Sequence, residues 1–446
     1  MPRNTKFFSW SVALATGASV EPRADRYSPD WQSLDTRPTP SWFDEAKVGV
    51  MVHWGVYSVP SFGGEWFWHR WREGKEPKYA EFMQRNYRPG FTYQDFAPQF
   101  TAELSGARYV VVTSKHHDGF TLWPSNASVN WNSMDVGPHR DLVGDLASAV
   151  RRKQGMRFGV YHSMMDWFHP LYLADKESGF TEARFPHAKT LQELRELVER
   201  YQPDVLRTDG DMEAPDTYWN STNFLAWLFN DSPVRSTVVV NDNWGKEARC
   251  KHGDSFTACG GEQGVLLQHK WEHYVNLDKS SWGYRREASL SDYHTSQELI
   301  DKLVSTVSRN GNFLVNVGPT KEGTITPAFE ERLYDMGKWL SVNGEAVYGT
   351  HPWKHQQDEA TPDVWYTAKG DTVYAFVQRW PKNDELHLQS LDMKSAEGSV
   401  TLLGMPGGVL RYAAAKTKGT VVVLPRLTPD KLPTPWGLVL KIEGAA

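Results

Sequence analysis

Six short runs of apolar, largely β-branched residues recur along the first 320 positions, at 48–52, 109–113, 156–160, 203–207, 238–240 and 313–317. Their apolar character on both faces predicts strands of a buried parallel sheet. Helical patterns separate them, most clearly at 191–201. There Leu191, Leu194, Leu197, Val198 and Tyr201 form one stripe, with Glu193, Arg195, Glu196 and Glu199 on the other side. Pro203 ends this helix and a strand follows. Repeated strand and helix units of this kind build either a (β/α) barrel or a doubly wound sheet.

The polar residues that follow each run decide between the two. His53 follows the first run, Lys115 to Asp118 the second, Tyr161 and His162 the third, Asp209 to Asp211 the fourth, and Asn241 and Asp242 the fifth. Chemically useful groups at the carboxyl ends of many strands converge on one face only in a barrel. An open sheet would gather them at a switch point beside a Gly-rich turn, and no GxGxxG follows any of these runs. After Trp353 the pattern becomes short alternating strands at 363–367, 372–377, 385–388, 399–403, 420–424 and 437–441, separated by turn residues. The reading is therefore α/β: a (β/α)8-like TIM barrel over 27–350 and an antiparallel β-sandwich over 351–446.

Arg3 and Lys6 precede an apolar stretch at 7–14 and small residues at 15–19, so residues 1–26 read as a short signal peptide and extension. Sequons at Asn126, Asn220 and Asn230 point the same way, to a lysosomal or secreted protein. No apolar run approaches the ~20 residues of a spanning helix, which argues against a membrane partner. The net charge of −5 comes without Lys/Arg clusters, and this disfavours nucleic acid. Cys250 and Cys259 are the only cysteines, either free or joined in one local bridge. Twenty tryptophans exceed ordinary core needs and suit either sugar-stacking surfaces or a Trp-rich core and interface.

Asp209 is the leading catalytic candidate, a carboxylate at a strand end before a freely turning Gly210. Turn capping is its competing role. His53, His116 and His117 could bind substrate, or with Asp209 or Asp118 could ligate a metal. Adjacent histidines on a strand face opposite ways, so His116 and His117 converge only if the backbone turns there. Glu65 beside Trp66, Asp166 beside Trp167, and Glu272 beside Trp271 each pair an acid with an indole.

Taken together, Trp42 to Gly49, His53-Trp-Gly55, Glu65-Trp66, Lys115-His-His-Asp-Gly-Phe120, Trp131 to Gly137, His139 to Leu142, Asp209-Gly210, Lys270-Trp-Glu272, Ser281-Trp-Gly-Tyr284 and Asn316 to Pro319 resemble the α-L-fucosidases of glycoside hydrolase family 29, in the right order. The resemblance is to the animal lysosomal and secreted members and runs from about residue 27 to 443. It implies a retaining exo-hydrolase that removes terminal α-linked L-fucose through a covalent fucosyl-Asp intermediate, with no metal and no cofactor. The implied partner is a fucosylated glycan, and association of identical chains stays open.

By match to the family motifs, Asp209 would be the nucleophile and His53, Glu65, Trp66, His116, His117 and Tyr161 would hold fucose, with Trp282 against its methyl side. Retention requires a second carboxyl roughly 5 to 5.5 Å from the nucleophile. Glu262, in the segment 256–263 whose spacing departs from the family's, is the best match for this acid/base, and Glu272 is the fallback. Asn243 stands where the family commonly has Arg, and only residues 101–106 stand where it carries a longer segment. These departures define an alternative, a fucose-binding protein with weakened or lost turnover.

Overall fold

The structure is a computed structural model that describes residues 26–87, 105–257, 259–381, 383–394 and 398–445. The signal-peptide reading falls outside these residues, as does most of the short segment before Ala107.

Eight parallel strands form one curled sheet: β1 (Val48–Val52), β2 (Tyr109–Lys115), β3 (Arg157–Ser163), β4 (Val205–Asp209), β5 (Val239–Val240), β6 (Phe256–Thr257), β7 (Trp271–Asn276) and β8 (Gly311–Val317). Their order is β5-β4-β3-β2-β1-β8-β7-β6. The two edges meet through a single parallel bridge between Asn241 and Ser255, which closes the barrel. The six apolar runs became β1 to β5 and β8. The run pattern missed β6, which is two residues long, and β7, whose Glu272, Tyr274 and Asn276 alternate with its apolar positions. That alternation is what a strand lining a polar interior should show.

Two apolar layers build the barrel. Outside, the helix Leu191–Tyr201 and its neighbours pack against Val50, Val110, Val160 and Leu206 in the main core. Inside, Met51, Tyr109, Val111, Val205, Val239 and Leu314 fill the lumen. The helix Ser41–Ala46 lies at its lower end, with Trp42 and Phe43 6.1 and 5.6 Å from the Tyr109 ring. The upper end, where strands terminate, is left for polar groups.

One buried charge cluster fixes the upper end of β2. Glu193, fully buried on the helix 191–201, accepts from Lys115 and pairs with Lys189, each at 2.7 Å, and accepts from Ser128 at 2.8 Å. Burial lowers the neighbouring His162 to about 4, so it faces Glu193 as a neutral ring. The flanking lysines hold Glu193 ionised, well below the usual carboxylate range, against the opposing effect of its burial.

Beyond residue 350 the strands are antiparallel. β9 (His351–Gln357), β10 (Val364–Lys369), β11 (Thr372–Val377), β13 (Ser399–Leu402) and β16 (Leu438–Glu443) make one sheet in the order β13-β16-β11-β10-β9. A second sheet has the order β12-β15-β14, from Glu385–Leu388, Thr420–Val423 and Arg411–Ala414. Val364, Tyr366, Leu388, Val400, Val422 and Leu440 fill the space between them. Trp339, on the helix Pro327–Asn343, stacks 6.1 Å from Phe376 and joins this unit to the barrel core.

Replacing Glu193 by Gln should leave Lys115 and Lys189 as uncompensated buried charges and cost about 3–5 kcal/mol of stability. Chemical denaturation checks this; a loss below about 0.5 kcal/mol, the usual scale of a surface substitution, would show that the cluster does not hold β2.

Candidate active site

The parallel registers bring the strand ends to one cavity of about 240 Å³. It is lined by Met51, His53, Glu65, Trp66, His116, His117, Tyr161, Arg207, Thr208, Asp209, Met212, Asn241, Asn243, Arg249, Thr257, Tyr274 and Trp282. The volume lies below the usual 300–1,000 Å³ of drug-sized sites, which suits one small polar ligand.

Asp209 is the last residue of β4 and pairs in register with Ser163 at the end of β3. That register places Tyr161, two residues earlier on β3, where its hydroxyl donates to Asp209 Oδ2 at 2.8 Å. Burial keeps the Tyr161 proton on, with the Asp209 charge adding to the effect. His117 Nε2 lies 3.8 Å from the same oxygen, and its Nδ1 meets Ser163 Oγ at 2.6 Å. Gly210 then leaves with φ +71, where an added Cβ would lie 2.8 Å from Met165 Cγ. Only glycine makes this exit without strain.

β2 ends at Lys115, after a register shift between Thr113 and Lys115. The backbone therefore turns before the histidine pair, and both His116 and His117 reach the cavity, their rings 4.2 Å apart. His53 follows β1, with its ring 5.1 Å from His116 and 5.7 Å from Trp282. Burial lowers His53 to about 3 and His117 to about 4, and holds His116 well below its ordinary value. All three are neutral imidazoles near neutral pH, each able to donate from one nitrogen and accept at the other. Both His53 nitrogens and His116 Nδ1 are buried without a protein partner. Buried polar atoms in this state want a ligand's hydroxyls.

Glu65 precedes the helix Phe67–Arg72. Its Oε2 accepts from Ser281 Oγ at 2.8 Å and from the backbone of Trp282 and Gly283 at 3.1 and 3.2 Å. One acidic side chain thus fixes the loop that presents Trp282, and Tyr274 meets that indole edge-on at 5.6 Å. Trp66 stays 37% exposed at the mouth, 4.9 Å from Trp167.

Glu262 and Glu272 do not line the cavity. Glu272 is fully buried in the barrel interior, where Tyr109 donates to it and Arg207 pairs with it. Glu262 is exposed on a turn between Gly260 and Gly264, and its charge acts on Arg309. Asp211 is the buried carboxyl that feels Asp209. Desolvation pushes it up to about 6, the Gly245 amide resists, and the Asp209 charge adds to the rise.

Sequence reasoning missed Arg207, Tyr274 and Arg249. The first two carry a signal in retrospect: Arg207 stands two residues before Asp209, and Tyr274 two after Glu272, so strand alternation puts each pair on one face. Arg249 carries none, because the loop from β5 to β6 places it. Cys250 and Cys259 are joined in a disulfide that closes this loop. The bridged cysteines and Asp242 make the one cluster of ligand-type atoms within 4.8 Å among the described residues; His53, His116, His117 and Asp209 do not converge that tightly.

The α-L-fucosidase family model matches residues 14–345, and the model of the α-L-fucosidase C-terminal domain matches 356–443. The chain is 52% identical over 433 residues to the tissue α-L-fucosidase of Homo sapiens, covering 94% of this chain and 92% of the relative. It is 53% identical over 431 residues to the plasma α-L-fucosidase of Rattus norvegicus, covering 93% and 94%. The crystal structure of the Thermotoga maritima α-fucosidase in complex with fucose superposes with a TM-score of 0.76 at 31% identity, covering 94% of this chain and all of that one. With these matches spanning both the barrel and the sandwich, the chain belongs to the α-L-fucosidase family of glycoside hydrolases.

Proposed function

We propose that this α-L-fucosidase is a retaining exo-enzyme that removes terminal α-linked L-fucose from glycoproteins, glycolipids or oligosaccharides. The observation that carries the reading is Asp209, a carboxylate held by Tyr161 at the cavity. In the proposed first step an Asp209 oxygen attacks the anomeric carbon while the leaving oxygen takes a proton. Water then cleaves the fucosyl-Asp ester with retention. A cavity of about 240 Å³ has room for one sugar, which suits exo action.

His53 and His116 supply ring nitrogens to the fucose hydroxyls, assisted by His117, Tyr161 and Glu65. Glu65 keeps Oε1 for this, its Oε2 being taken by Ser281 and the loop amides. Trp66 and Trp282 offer the apolar faces that sugar C–H groups and a methyl prefer. For the acid/base we propose Glu262, whose solvent-exposed carboxyl would have to be brought over the leaving oxygen by its glycine-bounded turn. Glu272 has no face on the cavity and already neutralises Arg207. The tissue and plasma relatives support lysosomal or secreted routing. Among the described residues no helix is long and apolar enough to cross a membrane.

Replacing Asp209 by Ala removes a part-exposed carboxylate and little packing. Turnover of an aryl α-L-fucoside should fall roughly a thousandfold or more, about 4 kcal/mol in barrier. Azide should restore part of the rate. A variant that keeps over a tenth of wild-type activity would remove Asp209 from the nucleophile role. Glu262→Ala should slow fucosides with poor leaving groups far more than activated aryl fucosides. Equal slowing of both substrates, or none, would take the acid role from Glu262.

A further inference from the structure

Arg249 is the one cavity-lining residue that comes from the long loop between β5 and β6 and carries a positive charge at the open end of the site. Asn243 connects it to the reacting carboxylate. The Asn243 amide is assigned from its partners. With its oxygen toward Arg249 it accepts from Nη2 at 3.0 Å, while its nitrogen donates to Asp242 Oδ1 at 3.0 Å and Thr257 Oγ1 at 3.3 Å. The opposite orientation would set amide N–H against guanidinium N–H and gain one long contact to Asp209. In either orientation the amide atom nearest Arg249 also lies 3.4 Å from Asp209 Oδ1. The guanidinium and the proposed nucleophile are thus separated by a single side-chain atom.

The loop is anchored to hold this arrangement. Asp242, fully buried, accepts from the backbone of Cys250 at 2.8 Å and of Thr257 at 2.9 Å. Gly245 donates to Asp211 at 2.8 Å on the opposite side. The disulfide joins Cys250, the residue after Arg249, to Cys259. A long side chain on a free loop would lose much rotamer and backbone entropy on engaging a ligand; this loop has already given up the backbone part.

We propose that Arg249 is a substrate-binding residue, its guanidinium donating to an oxygen of the bound glycoside at the reacting end beside Asp209, and that the Cys250–Cys259 bridge holds it there. The proposal rests on the fucosidase reading of the cavity. It also explains how the site can hold a cation although position 243 is Asn. The guanidinium is a fixed fork of donors with no acceptor, suited to sugar and glycosidic oxygens.

Steady-state kinetics on an aryl α-L-fucoside, with thermal melting as a control, test it. Arg249→Ala should raise KM and lower kcat/KM by about ten- to a hundredfold, the range for losing one charge-assisted hydrogen bond, with Tm unchanged because the side chain is exposed. Arg249→Lys should recover part of the loss. Adding Asn243→Arg to Arg249→Ala should recover more, since the two side chains touch. Cys250→Ser with Cys259→Ser should reproduce part of the KM rise. Wild-type kcat/KM in Arg249→Ala, or no recovery from a guanidinium at 243, would overturn the proposal. An inactive wild-type protein would instead count against the fucosidase reading itself.

Discussion

The site depends on one constraint, the parallel register between β3 and β4. It sets Ser163 opposite Asp209 and so puts the Tyr161 hydroxyl 2.8 Å from the Asp209 carboxylate. A slip of one residue would turn Tyr161 and Asp209 to opposite faces. The same logic around the ring delivers His53 from β1 and the histidine pair from β2. The Asn241–Ser255 bridge closes the circle with little strand pairing. That leaves the β5–β6 side free to carry a long loop, and this is the loop that brings Asn243 and Arg249 to the cavity.

Beneath the sugar-sized cavity the barrel is not filled by hydrocarbon alone. Arg207 and Glu272 form a buried ion pair flanked by Tyr109 and Tyr274. Such a pair seldom adds net stability, but removing one partner leaves a buried charge at large cost. Its value here is placement: Arg207 and Tyr274 line the floor, and Tyr274 supports Trp282. The low-dielectric surroundings also keep three clustered histidines neutral. A neutral imidazole can donate to one hydroxyl and accept from another, which a protonated ring cannot do.

Much of this architecture was legible in the sequence. Strands buried on both faces leave uninterrupted apolar runs, so β1 to β5 and β8 stood out, and of the polar residues after the first five runs His53, His116, His117, Tyr161, Asp209 and Asn241 line the cavity. β7 was hidden because its inward positions are Glu272, Tyr274 and Asn276, chosen for the polar lumen. The histidine pair posed a conflict with strand alternation, resolved by the end of β2 at Lys115. Cys250 and Cys259 could not be paired from spacing alone, and Arg249 stands next to that bridge in the chain. The sequon at Asn230 reads differently once folded, since its Nδ2 donates to the Tyr27 carbonyl at 2.9 Å.

The proposed double displacement requires a covalent bond between Asp209 and the sugar. The most direct measurement is mass spectrometry of proteolysed enzyme after incubation with a 2-deoxy-2-fluoro fucosyl donor bearing a good leaving group, which slows release of the intermediate. One added fluorofucosyl unit is expected on the peptide containing Asp209, disappearing on chase with an acceptor. An adduct on Glu65, Asp211 or another carboxylate, or turnover with no adduct and an inverted product, would contradict the role proposed for Asp209.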